Sequence, residues 1–203
     1  MNTLLLGSAS QSRQMLLKEA LIPFEVVGHA ADERAVDHSL PFEDLLQAIA
    51  RLKMDHVCLK KPSYEGEIAF IVTADSMGQD SKGVVHGKPH DKADAREKLR
   101  ALAYGSVTGT AFCIERRRAC KGQWITETCI EKCVIARYEF VVPELWIDRY
   151  LQHSWAMIAS GAIAIELYGN QFLKSIDGSY SAIVGLPMVE LREALEVVGF
   201  FDK

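Results

Sequence analysis

Hydrophobic and polar positions at the start of the chain follow a strand pattern, then a helix pattern, then a second strand pattern. Residues 4–6 form a short apolar run that predicts a buried strand, and the apolar positions within residues 15–21 recur at helical spacing. Ser10 or Ser12 is placed to cap this helix. Residues 24–27 are typical of a second strand.

The middle of the chain repeats this alternation. An apolar stripe within residues 45–57 predicts a helix that has Pro41 in its first turn. Residues 68–73 are almost continuously apolar, which predicts a central strand that stops at Ala74-Asp75-Ser76. Residues 84–86 are typical of a short returning strand.

The second half of the chain continues in the same way. Its predicted elements are a helix at 91–103, strands at 107–114 and 124–140 around a turn at 119–122, a helix at 143–153, an extended segment at 162–173 and a final helix at 189–198. Helices interleave with strands throughout, and no repeat or linker interrupts them, which favours an α/β fold. We expect residues 1–203 to form a single domain.

The composition excludes several classes of protein. The 203 residues are 49% hydrophobic and 25% charged, as in ordinary globular proteins. A formal net charge of -4 counts against binding to nucleic acid polymers, which needs clustered Lys and Arg. The chain has neither an apolar run long enough to span a membrane nor the basic start of a signal peptide. We therefore expect a cytoplasmic protein with no membrane partner.

The five cysteines predict reduced thiols rather than a disulfide framework, because their number is odd and no CxxC occurs. Cys129 and Cys133 would share one face of the strand predicted at 124–140, as core or half-buried thiols. No further ligands are evident near them in the sequence, so no zinc site is predicted.

The loop from Gly7 to Ser10, between the first strand and the first helix, is a candidate anion site. Its backbone N–H groups, its serine hydroxyls and the helix dipole all favour negative charge. Arg13, in the first helical turn, can reach back with a bidentate guanidinium. The alternative is a plain serine-capped helix with Arg13 in solvent. The loop lacks the Gly-Lys-Ser/Thr of a Walker A motif.

Three acidic positions are candidates for chemistry. Asp75, where the central strand is predicted to end, is either a general base or metal ligand, or a turn-capping residue beside Ser76. Asp32-Glu33, after the second strand, either supplies an oxygen ligand to Mg²⁺ or is a solvated acidic loop. Glu166, among apolar residues, either accepts hydrogen bonds from a ligand or faces water on an edge strand.

Two lysines are candidate cations. Lys53 lies within the second predicted helix and either points from the helix edge into a cleft or lies at the surface. Lys88 is fixed between Gly87 and Pro89, after a strand, where many lysines are simply turn residues.

Taken in order, six motifs resemble those of the Maf family of nucleoside triphosphate pyrophosphatases, over nearly the whole chain. They are Ser8-Ala9-Ser10-Gln11-Ser12-Arg13, Asp32-Glu33, Ala50-Arg51-Leu52-Lys53, Ala74-Asp75-Ser76, Gly87-Lys88-Pro89, and a last group running from Ser160-Gly161 through Glu166 to Val184-Gly185-Leu186-Pro187. Each motif alone is weak, and their order makes the resemblance fairly specific.

The resemblance implies an elongated, two-lobed α/β fold with a mixed sheet, flanking helices and a central cleft, often as a homodimer. It implies hydrolysis of a nucleoside triphosphate to the monophosphate and pyrophosphate with a divalent metal, Mg²⁺ or Mn²⁺. The alternative is a nucleotide-binding regulator with weakened catalysis, linked to cell division as the family is. The altered residues Ser12, Ile158 and Ala159 motivate this alternative.

The resemblance also assigns roles to individual residues. Asp75 would accept the proton from the attacking water, and Glu33 would hold the metal together with Asp75. The residues implied to bind phosphates or counter their charge are Ser8, Ser10, Arg13, Lys53 and Lys88.

Base specificity in the family resides at three positions that correspond here to Ser12, Ser76 and Glu166. The dTTP/UTP subgroup has Arg, Thr and Gln there, and the subgroup for methylated GTP has Trp, Gln and Glu. Glu166 matches the second subgroup, since a carboxylate accepts from N1–H and the 2-amino group of guanine. Ser76 is closer to the Thr of the first. The expected substrates therefore include both 7-methyl-GTP and dTTP or UTP.

Overall fold

The computed structural model describes residues 2–202 as a mixed α/β protein with one seven-stranded sheet. The strands are β1 (Leu4–Leu6), β2 (Phe24–Val26), β3 (Ile68–Gln79), β4 (Val85–His86), β5 (Ser106–Cys120), β6 (Gln123–Phe140) and β7 (Leu173–Asp177). The helices are α1 (Gln11–Glu19), α2 (Phe42–Asp55), α3 (Lys92–Ala101), α4 (Ile147–His153), α5 (Tyr180–Val184) and α6 (Met188–Val197). This architecture confirms the predicted α/β class.

The sheet combines parallel and antiparallel pairs. Its strand order is β2-β1-β3-β5-β6-β7, and β4 pairs with β3. β1 is parallel to both of its neighbours, with Leu4 aligned with Phe24 of β2 and Phe70 of β3. β4 is antiparallel to β3, and β7 is antiparallel to β6. Parallel neighbours need crossover connections, and α1 provides the one between β1 and β2.

The chain forms two compact units. The first consists of the residues up to Asp75, Ala111–Cys133 and the residues from Gly185 onward. The second consists of Ser76–Thr110 and Val134–Val184. β3, β5 and β6 therefore contribute residues to both units. That residues 1–203 form a single domain stays a prediction.

Each unit has its own hydrophobic core. The first is largely aliphatic and includes Leu4 and Leu17, both fully buried. The second contains an aromatic cluster in which the ring centroid of Tyr150 lies 5.5 Å from that of Phe140 and 5.7 Å from that of Phe172. None of the helices in residues 2–202 has the length and apolar character needed to cross a bilayer.

Strand β3 is longer than predicted. It continues past Asp75 to Gln79, because Gly78 and Gln79 pair with His86 and Val85 of β4. The sequence prediction that the strand stops at Asp75 is therefore wrong. Asp75 lies inside a strand and does not cap a turn.

The segment predicted to be extended at 162–173 consists mainly of short 3-10 turns, at Ser160–Ala162 and Leu167–Phe172. Ala162 and Leu167 have positive φ angles of 59° and 53°, which break an extended run. The apolar residues here are buried around a turn rather than on the two faces of a strand. Strand β7 and the short helix α5 follow, and neither was predicted from the sequence.

The cysteines confirm one prediction and correct two others. None of the five is in a disulfide, as expected. Cys129 is exposed rather than core or half-buried, whereas Cys133 is half-buried as predicted. The expectation that no ligands surround these thiols is also wrong, because Cys113, Glu115 and Cys129 place their ligand atoms within 4.8 Å of one another. Cys113 lies on the neighbouring strand, so spacing within one strand could not reveal it.

Candidate active site

The loop before α1 has the form of an anion site. Ser10 caps the helix, since its Oγ accepts a hydrogen bond from the backbone N–H of Arg13 at 3.4 Å. Ser8 is buried, and its Oγ accepts from the backbone N–H of Ser10 at 3.3 Å. Gly7 is required next to β3, because a Cβ there would lie 2.7 Å from Cγ2 of Thr73. The loop is thereby held against the sheet, with two serines at a helix N-terminus.

Arg13 is buried, and the alternative that it points into solvent is wrong. Its Nη1 donates to the Oγ of Ser8 at 2.9 Å, and its Nε donates to the carbonyl of Gly185 at 2.8 Å. Gly185 belongs to the Gly-Leu-Pro motif, so the first and last motifs meet at this guanidinium. Burial lowers the pKa of Arg13, and the charges of Asp75 and Glu33 oppose that shift. The guanidinium remains charged at neutral pH.

Lys53 is also buried, and the alternative of a surface lysine is wrong. Its Nζ lies 2.6 Å from Oδ1 of Asp75 and 3.0 Å from Oε1 of Glu33. The spacing within α2 explains this position, because Leu46, Ile49 and Lys53 lie on one face of the helix and all three are buried. The ammonium at the end of this face pairs with the two carboxylates.

Asp75 faces this polar cluster from β3. Oδ1 accepts from Lys53, while Oδ2 is buried and has no hydrogen-bond partner among the described residues. Thr73, on the same strand, donates from Oγ1 to the carbonyl of Ala50 at 2.7 Å and so ties β3 to α2. A buried carboxylate oxygen without a partner is costly. This oxygen is therefore a favourable place for a ligand atom that donates or carries positive charge.

Glu33 begins a 3-10 turn, Glu33–Ala35, that Asp32 caps. Asp32 is exposed and pairs with Arg34, whereas the carboxylate of Glu33 pairs with Lys53. The alternative of a simply solvated acidic loop therefore fits Asp32 but not Glu33. The Glu33 side chain is 44% exposed, so one part of it faces the buried cluster and another faces solvent.

His29 is a further group in this neighbourhood that the sequence analysis did not single out. Burial and the positive charge of Lys53 lower its pKa, and Arg13 adds to this shift, while Glu33 and Asp75 oppose it. Its Nδ1 is buried without a hydrogen-bond partner in the described part of the chain. A histidine in a polar loop is usually exposed, so no signal in the sequence marked it.

The remaining predicted positions are divided between the two units. Ser12 is half-buried in the first turn of α1, in the same unit as Arg13. Ser76, Lys88 and Glu166 belong to the second unit. Lys88 is exposed in the loop between β4 and α3, unlike the buried Lys53.

The two specificity positions of the second unit differ in their surroundings. Ser76 is half-buried, its Oγ accepts from Oγ1 of Thr110 at 2.8 Å, and its carbonyl accepts from Oγ of Ser160 at 2.7 Å. Glu166 is buried just before the turn Leu167–Phe172, so the alternative of an edge-strand residue facing water is wrong. A buried carboxylate is retained only with polar partners or a ligand to satisfy it.

Comparison with known proteins identifies the family. A family model described as Maf-like protein matches residues 3–198, which includes all six motifs. The chain belongs to the Maf-like family. The resemblance found in the sequence is thereby confirmed.

Several curated relatives match the Maf-like chain over almost its full length. A protein named nucleoside triphosphate pyrophosphatase from Synechococcus sp. (strain CC9605) is 30% identical, covering 94% of this chain and 100% of the relative. Two proteins named dTTP/UTP pyrophosphatase are similar to it as well. The one from Shewanella oneidensis is 30% identical, covering 98% of this chain and 99% of the relative. The one from Geotalea uraniireducens is 32% identical, covering 99% and 97%.

Proposed function

We propose that this Maf-like protein hydrolyses a nucleoside triphosphate to the nucleoside monophosphate and pyrophosphate. The observation that carries the proposal is the buried carboxylate of Asp75, which has one oxygen on Lys53 and the other without a hydrogen-bond partner among residues 2–202. The names of the full-length relatives support the same reaction class.

In the proposed reaction, Asp75 is the proton acceptor. Lys53 holds Oδ1 at 2.6 Å, which fixes the carboxylate and leaves Oδ2 to take a proton from water. The water oxygen then bonds to the α-phosphorus while the bond from that phosphorus to the bridging oxygen of pyrophosphate breaks. Negative charge grows on the phosphate oxygens during this step, so fixed cations stabilise it.

The serines and Arg13 are the proposed phosphate contacts. Ser8 and Ser10 offer hydroxyls at the N-terminus of α1, where the helix dipole favours anions. Arg13 holds Ser8 in place and adds a buried positive charge. Lys88 is proposed to counter phosphate charge from its exposed loop.

The chain offers residues that suit a divalent metal, Mg²⁺ or Mn²⁺. The orphaned Oδ2 of Asp75 and the half-exposed carboxylate of Glu33 are the hard oxygen donors that such cations prefer. When bound, the ion would neutralise phosphate charge and stabilise the departing pyrophosphate. Lys53 pairs with both of these carboxylates and so holds them near each other.

Pyrophosphate release from UTP, dTTP, GTP and 7-methyl-GTP, with Mg²⁺ or Mn²⁺, tests the proposal. We expect Asp75→Asn to lower kcat about 10²–10⁴-fold, the usual contribution of a general base. Asp44→Asn, at an exposed position in the first turn of α2, is the matched control and should leave turnover unchanged. The proposal fails if no nucleotide turns over, or if Asp75→Asn keeps full activity. Saturable nucleotide binding without hydrolysis would favour the alternative, a nucleotide-binding regulator with weakened catalysis.

Glu166 is the proposed reader of the base. We expect Glu166→Gln to move the substrate ranking away from guanine nucleotides, because an amide presents a donor where the carboxylate only accepts. An unchanged ranking would contradict this role.

Ser12 and Ser76 are the other two proposed specificity positions. The proposal further expects a cytoplasmic homodimer, and light scattering on the purified protein tests the assembly.

A further inference from the structure

A pair of thiols lies outside the proposed active site, on the hairpin formed by β5 and β6. The two-residue turn Lys121–Gly122 joins these strands, with φ angles of 52° and 74°. The Sγ atoms of Cys113 on β5 and Cys129 on β6 are 3.6 Å apart. The proposed hydrolysis uses neither thiol.

The two cysteines differ in how accessible they are. Cys113 is fully buried in a cluster with Met54, Ala69 and Ile71. Cys129 is exposed. An oxidant in solution therefore reaches Cys129 first, and Cys113 lies behind it as the second sulfur.

Arg51, on α2, is the cation beside the exposed thiol. Its Nη1 donates to Sγ of Cys129 at 3.1 Å and lies 3.3 Å from Oε1 of Glu115 and 3.4 Å from Oε1 of Glu131. Burial raises the pKa of both thiols, and the carboxylates of Glu115 and Glu131 add to the shift. Arg51 opposes the rise at Cys129 without cancelling it, so the exposed thiol is the one of the pair that has a cation beside it.

The same group of side chains also has the composition of a metal site, in which Cys113, Glu115 and Cys129 would be ligands. The place of the cation is, however, already taken by Arg51, which lies within 3.4 Å of Cys129 and of two carboxylates. The other oxygen of Glu115 accepts from Arg117 at 2.6 Å and from Thr126 at 2.9 Å. With the carboxylate engaged in this way, the sulfurs are the pair of reactive atoms that remains.

We propose that Cys113 and Cys129 are a reversible disulfide site that responds to peroxides. The thiolate of Cys129 attacks one oxygen of hydrogen peroxide, the O–O bond breaks, and with one proton the products are a sulfenic acid and water. The thiol of Cys113 then attacks the sulfenic sulfur and forms the S–S bond, and its proton leaves with the hydroxyl as a second water. A dithiol reductant restores both thiols by exchange.

The geometry needs only a small movement. A disulfide has an S–S length of about 2.05 Å, so the sulfurs must approach each other by roughly 1.5 Å.

The test uses the full chain with Cys58, Cys120 and Cys133 replaced by serine, which leaves only the proposed pair. After treatment with hydrogen peroxide and alkylation, non-reducing peptide mapping should show one intramolecular cross-link between Cys113 and Cys129. Dithiothreitol should reverse it. In the same background Cys113→Ser should leave a sulfenic acid on Cys129 that dimedone traps.

Substitution of Arg51 is the control, because a nonspecific cross-link would not depend on this residue. We expect Arg51→Gln to slow oxidation of Cys129 severalfold, because it removes the cation that opposes the rise in the pKa of this thiol, and Arg51→Lys to restore much of the rate. Cys129 that goes directly to sulfinic acid without a cross-link would overturn the proposal. So would stoichiometric Zn²⁺ that the reduced protein retains and Cys113→Ser loses, because the pair would then be a metal site.

Discussion

The buried ion pair between Lys53 and Asp75 can be tested without any assumption about the reaction. In Lys53→Met the side chain stays unbranched, is one atom shorter and keeps its helix propensity, but it loses its charge. Asp75 would then be a buried carboxylate that has lost the ammonium paired with it, since Glu33 is an acid as well. Removing one member of a buried pair costs about 3–5 kcal/mol. The Lys53 and Asp75 side chains are only 8% and 11% exposed, so solvent screens this loss very little.

The second substitution reverses the sign of the effect. Adding Asp75→Asn to Lys53→Met removes the stranded charge, so the double variant should be more stable than Lys53→Met alone, by about 2 kcal/mol. Asp75→Asn alone should cost less than Lys53→Met, because Lys53 still has Glu33 at 3.0 Å. The coupling between the two positions is the quantity that the structure predicts.

Urea unfolding at pH 7 measures these differences as free energies of unfolding. Lys61→Met is the matched control, since Lys61 is exposed and should change the stability by less than about 0.5 kcal/mol. The reasoning is refuted if Lys53→Met costs no more than the control. It is equally refuted if Asp75→Asn destabilises the Lys53→Met variant further.

Three further predictions concern the second unit. Gly169→Ala should cost about 3 kcal/mol in thermal or urea unfolding, because its Cβ would lie 1.7 Å from the carbonyl oxygen of Ala164; a neutral effect would mean that the turn moves freely. Tyr150→Phe should cost about 2 kcal/mol, since its hydroxyl donates to Ala162 O and accepts from Ala164 N, each at 2.8 Å; a cost near zero would mean that these groups find other partners. Burial raises the pKa of Tyr138 to about 12, so between pH 10 and pH 12 the unfolded state loses its proton first and stability falls as pH rises. Tyr138→Phe should lessen that fall by up to about 1.4 kcal/mol per pH unit, and an unchanged slope would contradict the assignment.

Local sequence predicted the elements whose patterns are strong and whose neighbours are close in the chain. The strand at Leu4–Leu6 and a serine-capped helix after it were predicted, with Ser10 one of the two proposed caps, because each depends on residues within one turn. The length of β3 was not predicted, because the continuation of this strand depends on its pairing with β4 across a turn. The turn around Ala162 was missed for a related reason, since burial on all sides produces the same apolar run as a strand.

In the candidate site, the positions of several side chains depend on partners that are distant in the sequence. From the helical pattern alone, Lys53 had two interpretations, although its place in line with Leu46 and Ile49 indicates the buried face. Arg13 likewise was ambiguous until Gly185 was seen to accept from its Nε, since the two residues are 172 positions apart. The order of the motifs along the sequence is what links such distant residues. What sequence could not supply is the orphaned oxygen of Asp75, because that property depends on every neighbouring atom.

Helix α2 contributes to both clusters proposed here, and its geometry separates them. Arg51 contacts Cys129, and Lys53 contacts Asp75. Residues two apart on an α-helix point about 200° apart, so the two side chains leave the helix on different sides. The bond from Thr73 to the carbonyl of Ala50 fixes α2 to the strand that carries Asp75. Oxidation of the thiol pair can thus displace Arg51 while Lys53 stays in place. A cross-linked protein that still releases pyrophosphate would agree with both proposals, and the failure of one leaves the other standing.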